Sequence, residues 1–218
     1  MLVTDEKPTT RNLAPTWVAK VLDLWFREID EELWFTSSTE LDDRIRSRFL
    51  SVHQRIIDSE AGGLAGAGPL LAGIVVLDQF SRNMFRGTPR AFAADPLARG
   101  LAERVLALGL DAGMTRAQRY FAYLPFEHSE DREHQALAVR LIEPLGDESW
   151  THYARAHQRV IGRFGRFPHR NAILGRASSP DELRFLQGSR GNPSERRETR
   201  DPRSARTARL PLKSTPRL

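Results

Sequence analysis

Apolar residues recur every three to four positions along most of this chain, and that spacing places them on one face of an α-helix. The clearest stripe follows Asp147 and consists of Trp150, Tyr153, Ala154, Val160, Ile161 and Phe164. No stretch shows the sustained alternation of apolar and polar residues that marks a half-buried strand. The sequence therefore predicts an all-α fold of about seven helices. Because the links are short, consecutive helices should pack as stacked antiparallel hairpins, in a bundle or a short solenoid.

Residues that favour helix N-termini mark where these helices begin. Two capping boxes are predicted, one from Ser37 with Glu40 and one from Ser179 with Glu182. The other predicted N-cap residues are Asp95, Thr115 and Asp147. These positions divide the chain into several short helices rather than a few long ones.

The basic character of the chain is local. Its formal net charge is +5, yet residues 188–218 contain nine Lys and Arg against three Asp and Glu, so the rest is close to neutral. That segment has no aromatic residue and is rich in Arg, Ser, Thr, Pro and Gly, a composition that buries too little surface to fold. We predict an N-terminal extension over residues 1–14, a single helical domain over 15–187 and a basic, disordered tail over 188–218. A shifted reading frame of a GC-rich gene is an alternative origin of the tail.

The composition indicates neither a membrane nor a metal nor a cofactor. The chain has no cysteine, and its longest apolar run, residues 69–77, is far shorter than the ~20 residues of a membrane span. The sequence contains no His-x-x-x-His or Glu-x-x-His spacing, no phosphate-binding glycine loop and no dinucleotide fingerprint. We expect a soluble cytoplasmic protein without metal or cofactor. Because the excess basic residues lie in the tail, nucleic acid is not the expected partner.

A first polar block interrupts the third predicted helix. Asp78 and Arg82 lie one turn apart there, so a carboxylate and a guanidinium can stand side by side. Asn83 and Arg86 follow at the same helix end, and all four are candidate ligand-binding residues. The alternative is an internal ion pair that ties two helices together.

A second polar block follows Pro125, a residue that should kink or break its helix. Glu127 and His128 are candidate catalytic residues, because an imidazole beside a carboxylate can exchange protons near neutral pH. Tyr123, one turn earlier, is a candidate ligand contact. Adjacent residues on a helix point in different directions, so we expect only one of Glu127 and His128 to face a given cavity.

A third polar block is the loop that follows the Asp147 stripe. Arg166, Arg170 and Asn171 are candidate ligand-binding residues there. The two guanidiniums could hold a carboxylate or phosphate together, with His169 as a candidate catalytic proton donor. The alternative is a latch that fixes the last helix in place.

His157 lies on an apolar helix face, between Tyr153 and Ile161. A buried imidazole needs a polar partner, because an unsatisfied polar group is costly in the interior. A hydrogen-bonded core histidine is therefore the preferred interpretation, and a ligand-binding role is the other.

Four motifs, in this order, resemble the signature of a known family. They are Trp25-Phe26 with Trp34-Phe35, Leu77 to Asn83 with Phe85-Arg86-Gly87, Pro125 to Glu130, and Phe164 to Asn171. The family is the bacterial domain of unknown function DUF 924, and the resemblance extends from about Val18 to Leu186. It implies a fold of helical hairpins like those of tetratricopeptide repeats (TPR) and no established activity.

Two classes of function remain open. In the first, the TPR-like helices form a scaffold that recognises a protein partner, and the polar blocks hold the hairpins in register. In the second, the blocks meet in one pocket that binds a small anionic ligand. A variant of the second class is a cofactor-free acid/base enzyme acting on a small phosphate- or carboxylate-bearing substrate. The pocket requires that the three blocks meet in a single cavity.

Overall fold

A computed structural model describes residues 16–188, and all regular structure in that range is helical. It contains eight principal helices. They are α1 (Thr16–Asp23), α2 (Thr39–Asp58), α3 (Ala67–Ile74, continued by Val75–Phe80 and Ser81–Met84), α4 (Asp95–Ala107), α5 (Arg116–Glu127), α6 (Arg132–Ile142), α7 (Glu148–Phe164) and α8 (Pro180–Gln187). The all-α prediction is confirmed, whereas the predicted extension and all but the first residue of the predicted tail lie outside the described residues. None of the described helices is both long and apolar enough to span a lipid bilayer.

Local sequence signals set most of the helix ends. Thr115, Asp147 and Ser179 each cap a helix as predicted, because each side chain accepts a hydrogen bond from an amide of the first turn. Pro125 lies inside α5, and that helix ends two residues later at Glu127. The predicted break at this point is therefore confirmed, and α6 starts after a short turn.

Two predicted caps are wrong. α2 is capped by Ser38 rather than Ser37, one residue later than the predicted capping box. α4 starts at Asp95 without a side-chain cap, because the Asp95 carboxylate binds Arg82 instead. Asp95 therefore belongs to a tertiary ion-pair network and not to a local helix cap.

Most consecutive helices pack against each other, and helices two apart also touch. α3 packs against α2 and α4, α5 against α4, and α6 between α5 and α7. In addition, α1 contacts α3, α3 contacts α5, and α5 contacts α7. The result is a stack of helical hairpins in which α3, α5 and α7 are neighbours. Polar residues from these three helices can therefore meet.

The centre of the main apolar core is aromatic. Trp25, Phe49, Phe80 and Phe121 are at most 1% exposed. The Trp25 ring packs edge-on against Phe80 and Phe121, with centroid distances of 5.5 and 5.4 Å, a geometry that aromatic pairs prefer. Burying one such side chain contributes roughly 1.5–3 kcal/mol. This packing fixes the π-helical segment after α1, Leu24–Glu28, relative to α3 and α5.

A smaller apolar cluster lies at the C-terminal end of the described chain. Val160, Ile161 and Phe167 are buried in it, and Phe164 and Phe185 pack against them. The cluster joins α7, the loop that follows it, and α8. Since it is separate from the main core, contacts of other kinds must connect the two.

Candidate functional site

The C-terminal part of α3 carries a fully buried acidic side chain, Asp78, which is 0% exposed. The helix has π-helical geometry around it, over Val75–Phe80, a feature that is frequent at functional sites. The Asp78 carboxylate oxygens lie 2.8 and 3.0 Å from Nδ1 of His128. One of them is also 3.2 Å from the Arg82 guanidinium, and the Gln79 amide donates a further hydrogen bond.

Burial alone would raise the pKa of Asp78, because desolvation disfavours a carboxylate. The charges of Arg82 and His128, with hydrogen bonds from His128 and Gln79, outweigh burial and hold the pKa of Asp78 well below its ordinary value. Asp78 is therefore ionised at neutral pH. An ionised carboxylate only accepts hydrogen bonds, so Nδ1 of His128 must carry a proton. In the neutral ring, the lone pair is left at Nε2.

Arg82 and Arg170 share a second carboxylate, that of Asp95 at the start of α4. Arg82 approaches its two oxygens at 3.1 and 3.2 Å, and Arg170 lies 3.4 Å from one of them. The Arg170 guanidinium also lies 4.6 and 4.5 Å from the ring centroids of Phe92 and Phe167. Burial and the neighbouring Arg82 lower the pKa of Arg170 to about 10, so it remains a cation at neutral pH. These contacts connect α3 and α4 to the loop after α7.

A second carboxylate–imidazole pair lies beside the first. Oε1 of Glu127 is 3.0 Å from Nδ1 of His157, and the same nitrogen is 2.9 Å from the backbone oxygen of Tyr153. A carboxylate and a carbonyl both accept hydrogen bonds, so Nδ1 of His157 is a protonated ring nitrogen. The ring centroids of His128 and His157 are 6.3 Å apart. Two imidazoles, each oriented by a carboxylate, are therefore neighbours.

Three of these four side chains line one narrow cleft. Its lining residues are Phe35, Tyr120, Leu124, Glu127, His128, Trp150, Tyr153 and His157. The walls are mainly aromatic, and Tyr120 stacks on Trp150 with a centroid distance of 4.2 Å. The cavity measures ≈ 30 Å³, which is room for about one or two water molecules. A larger ligand therefore requires some movement of the walls.

Glu127 and His128 both line the cleft, so the prediction that only one of them would do so is wrong. Glu127 is the last residue of α5 and His128 is its C-cap, and this helix packs against both α3 and α7. The side chains of Glu127 and His128 point about 100° apart, and each can therefore contact a different neighbouring helix. His128 meets Asp78 on α3, and Glu127 meets His157 on α7.

His169 lies in the loop after α7 and is held neutral. Burial, the charge of Arg170 and the neighbouring His157 lower the pKa of His169 to about 3. Its Nδ1 is buried and has no hydrogen-bond partner within residues 16–188. A neutral imidazole is a poor proton donor at physiological pH, so these electrostatics do not favour the predicted role of His169 as an acid.

Arg166 and Asn171 connect the loop to the segment that ends in α8. Arg166 donates hydrogen bonds to both carboxylate oxygens of Glu182, at 2.7 and 2.8 Å, and the Asn171 amide donates to Ser178. The hydrogen bond from Arg166 lowers the pKa of Glu182 to about 2. Since Arg166 and Arg170 bind different carboxylates of the chain, this geometry favours the latch over a shared anion site.

Three further candidate ligand contacts lie outside the cleft. Asn83 and Arg86 both bind Asp42 on α2, at 2.8 Å from Nδ2 and 2.7 Å from Nε. Tyr123 donates its hydroxyl proton to Asp111 at 2.7 Å. Burial first and Asp111 second raise the pKa of Tyr123 well above its ordinary value, so the hydroxyl stays neutral. Each of the three has a hydrogen-bond partner within the chain, which favours a structural role for these side chains over contact with a ligand.

Two acidic residues complete the network without having been predicted as part of the site. Asp95 stands before a proline and has the pattern of an N-cap, which hides its tertiary role. Glu130 accepts two hydrogen bonds from Arg176, at 2.7 and 3.0 Å, and one from the amide of Phe167 at 2.8 Å. Burial opposes ionisation of Glu130, but these hydrogen bonds prevail and lower its pKa. Glu130 stands at the end of the second polar motif, and this is the only sequence signal for its role. Its partner Arg176 lies 46 positions away, so the pairing itself could not be predicted.

The fold and the site define a class of protein, an all-α stack of helical hairpins with a buried ion-pair network beside an aromatic cleft. In the described part of the chain, no three His, Cys, Asp or Glu side chains are grouped so as to hold a metal ion. Residues 21–190 match the model of a family described as a bacterial protein of unknown function (DUF924). The chain belongs to this family, and the resemblance found in its motifs is confirmed.

A solved structure of a protein of unknown function from Agrobacterium tumefaciens is similar to this chain. The two are 40% identical, with a TM-score of 0.75, and the match covers 78% of this chain and 97% of that one. No curated protein matches the chain. The helical stack is therefore common to both proteins.

Proposed function

We propose that this protein binds a small organic molecule in the aromatic cleft and that His128 exchanges a proton with it. The observation that carries the proposal is the Asp78–His128 pair, in which Nδ1 of the imidazole lies 2.8 Å from an ionised carboxylate. His128 also lines the cleft. Among the described residues no hydrogen bond occupies its Nε2, so this atom is available as the base.

Asp78 has two effects on His128 in this mechanism. Its hydrogen bond to Nδ1–H selects the tautomer in which Nε2 is the acceptor, and its negative charge stabilises the imidazolium that forms when Nε2 takes up a proton. Arg82 and Gln79 keep Asp78 ionised throughout. A positioned acid or base of this kind contributes typically about 10²–10⁴-fold to a rate.

His157 is the second proton-transfer group of the cleft. Its Nδ1–H is bound by Glu127 and the Tyr153 carbonyl, which leaves Nε2 of the neutral ring as an acceptor. His128 can take a proton from the bound molecule at Nε2 and, as the imidazolium, return it to another atom of that molecule, and His157 can relay a proton in the same way. The side chains of the cleft thus support the cofactor-free acid/base chemistry that the sequence left open as an alternative, but not the phosphate- or carboxylate-bearing substrate predicted with it.

The cleft gives less support to the other two predicted functions. Its described lining contains neither Lys nor Arg, and the guanidiniums of Arg166 and Arg170 are paired elsewhere, which disfavours an anionic ligand. The exposed large apolar side chains of residues 16–188 are Leu33, Leu50, Leu108 and Leu183. They lie on separate elements rather than in the continuous apolar patch that a protein partner favours.

The proposal is tested by a ligand-observed NMR screen of small amines, alcohols, esters and carboxylates, with conversion of each bound compound followed over time. His128→Gln should slow conversion about 10²-fold or more and retain binding, because it removes the base and leaves the walls intact. His152→Gln is the matched control, since His152 is exposed on α7 outside the cleft lining. Wild-type conversion by the His128→Gln variant, or the lack of any bound compound, would contradict the proposal.

A further inference from the structure

Glu127 lines the cleft and carries one unused hydrogen-bond acceptor. The residue is 2% exposed, and its Oε1 is engaged by His157. Its Oε2 is buried and has no hydrogen-bond partner in the part of the chain that the structure describes. An unsatisfied buried carboxylate oxygen is costly, so a ligand that donates a hydrogen bond to it would be bound selectively.

The charges around the cleft favour a cationic donor. The neighbouring ion pairs balance one another: Asp78 with Arg82, Asp95 with Arg170, and Glu130 with Arg176. Glu127 stands outside these pairs, and its partner His157 is an imidazole rather than a permanent cation. A positively charged ligand would supply the missing counter-charge, whereas an anion would be repelled by Glu127.

The walls of the cleft determine the shape of the rest of the ligand. Tyr120, Leu124, Trp150 and Tyr153 provide apolar and aromatic surface, which takes up hydrocarbon and also attracts cations. The cavity is only ≈ 30 Å³, so the walls need to move least for a slender body. An unbranched alkyl chain fits this requirement better than a ring.

Building on the proposed function, we propose that the ligand of this cleft is a small primary amine with an unbranched alkyl body. The protonated nitrogen donates a hydrogen bond to Oε2 of Glu127, and the chain lies along the aromatic wall that Tyr120, Trp150 and Tyr153 form. In this position the amine end lies next to the two imidazoles that transfer protons.

The test is calorimetric titration of the full chain with n-butylammonium chloride, butan-1-ol and sodium butyrate, which share a chain length and differ in charge. n-Butylammonium should bind roughly tenfold or more tightly than the other two. Glu127→Gln keeps the size of the side chain and removes its charge, so affinity for n-butylammonium should fall roughly ten- to a hundredfold. Glu133→Gln, at an exposed position of α6, should bind like the wild type.

The position of the ligand can be checked in the wild type, where n-butylammonium should shift the indole N–H resonance of Trp150. If Glu127→Gln does not fold, the amine assignment is tested in the wild type by this shift and by the order of the three affinities. Failure of n-butylammonium to bind, tighter binding of butyrate, or an unchanged amine affinity in Glu127→Gln overturns the amine assignment. The acid/base proposal would still stand in that case if other bound compounds are converted in a His128-dependent way.

Discussion

Three histidines near the cleft differ in the groups that surround their Nδ1 atoms. In His128 and His157 this atom faces a carboxylate, whereas in His169 it is buried without a partner among the described residues, next to the cation of Arg170. A carboxylate at Nδ1 prepares an imidazole to accept a proton, and a neighbouring guanidinium prevents it from doing so. The surroundings, rather than the residue type, thus determine which imidazole can act as a base.

The neutral state of His169 should make the folded protein sensitive to acid. Its pKa is about 3 in the folded protein, against 6.5 for the free side chain. Between these values the unfolded chain binds a proton that the folded chain does not, so the stabilisation is fully present above about pH 6.5 and is lost as the pH falls toward about 3. Urea denaturation at a series of pH values should show a loss from this residue that begins near about pH 6.5 and approaches about 1.4 kcal/mol per pH unit at lower pH.

The contribution of His169 can be separated from that of other groups by substitution. His169→Gln removes the titrating group, so the slope of stability against pH should decrease by about 1.4 kcal/mol per unit below about pH 6.5. His152→Gln removes an exposed histidine and should leave the slope unchanged. A wild-type slope in His169→Gln would mean that His169 is solvated and protonated in the folded protein.

At the level of elements, polar contacts hold α8 to the rest of the chain. The buried residue of α8 is the acidic Glu182, whereas Leu183 is 49% exposed. One apolar contact of the helix is that of Phe185 with Phe164, at 5.1 Å between ring centroids. The paired hydrogen bonds from Arg166 to Glu182 therefore carry a large share of the docking of α8.

Arg166→Ala should accordingly loosen α8 and leave the helical stack intact. Amide hydrogen exchange over residues 180–187 should become faster, while exchange in α3 and α5 stays at the wild-type rate. Arg159→Ala is the control, because Arg159 is an exposed residue of α7 and, among the described residues, is in no ion pair. Unchanged exchange of α8 in Arg166→Ala would show that the Phe185 contact alone is sufficient.

Acid should loosen α8 in the same way. The pKa of Glu182 is about 2, below the ordinary value of 4.5, so the stabilisation by this carboxylate is present above about pH 4.5 and is lost as the pH falls toward about 2. Proteolysis of the C-terminal segment should therefore increase over this pH range in the wild type. In Glu182→Gln, susceptibility should already be raised at neutral pH and change little with acid.

Helix positions could be predicted from the sequence because their signals are local. The stripe after Asp147 and the cap at Thr115 each depend on residues one or two turns away. The role of Asp95 could not be predicted in this way, because its partner Arg82 lies 13 positions earlier on another helix. The three polar motifs indicated which parts of the chain contribute to the ion-pair network, but of the three only the second lines the cleft, with Glu127 and His128, because packing determines which side chains face it.

At the scale of the whole molecule, Phe167 connects the two apolar clusters through the site. Its ring belongs to the small C-terminal cluster and lies 5.3 Å from the ring of His157, which pairs with Glu127 on α5. The same ring lies 4.5 Å from the Arg170 guanidinium. The side chains at the cleft thus depend on a residue of the loop after α7.

Phe167→Ala should destabilise the fold and disturb the cleft together. Phe167 is 0% exposed, and loss of a buried Phe side chain costs about 3–5 kcal/mol, because the cavity left behind collapses only partly. Phe167→Leu should cost less, since it keeps much of the apolar volume. Urea denaturation gives these differences, and the imidazole resonances of His157 should shift in either variant because the ring beside it is gone.

A suitable control for Phe167→Ala is Leu183→Ala, on the exposed face of α8. That substitution removes little buried surface and should change stability by no more than about 0.5 kcal/mol. If Phe167→Ala were as stable as the control, the loop after α7 would not be packed against α7 as described. The positions of Arg170 and His157 would then lack their apolar support, and the orientation of the second imidazole would have to come from Glu127 and the Tyr153 carbonyl alone.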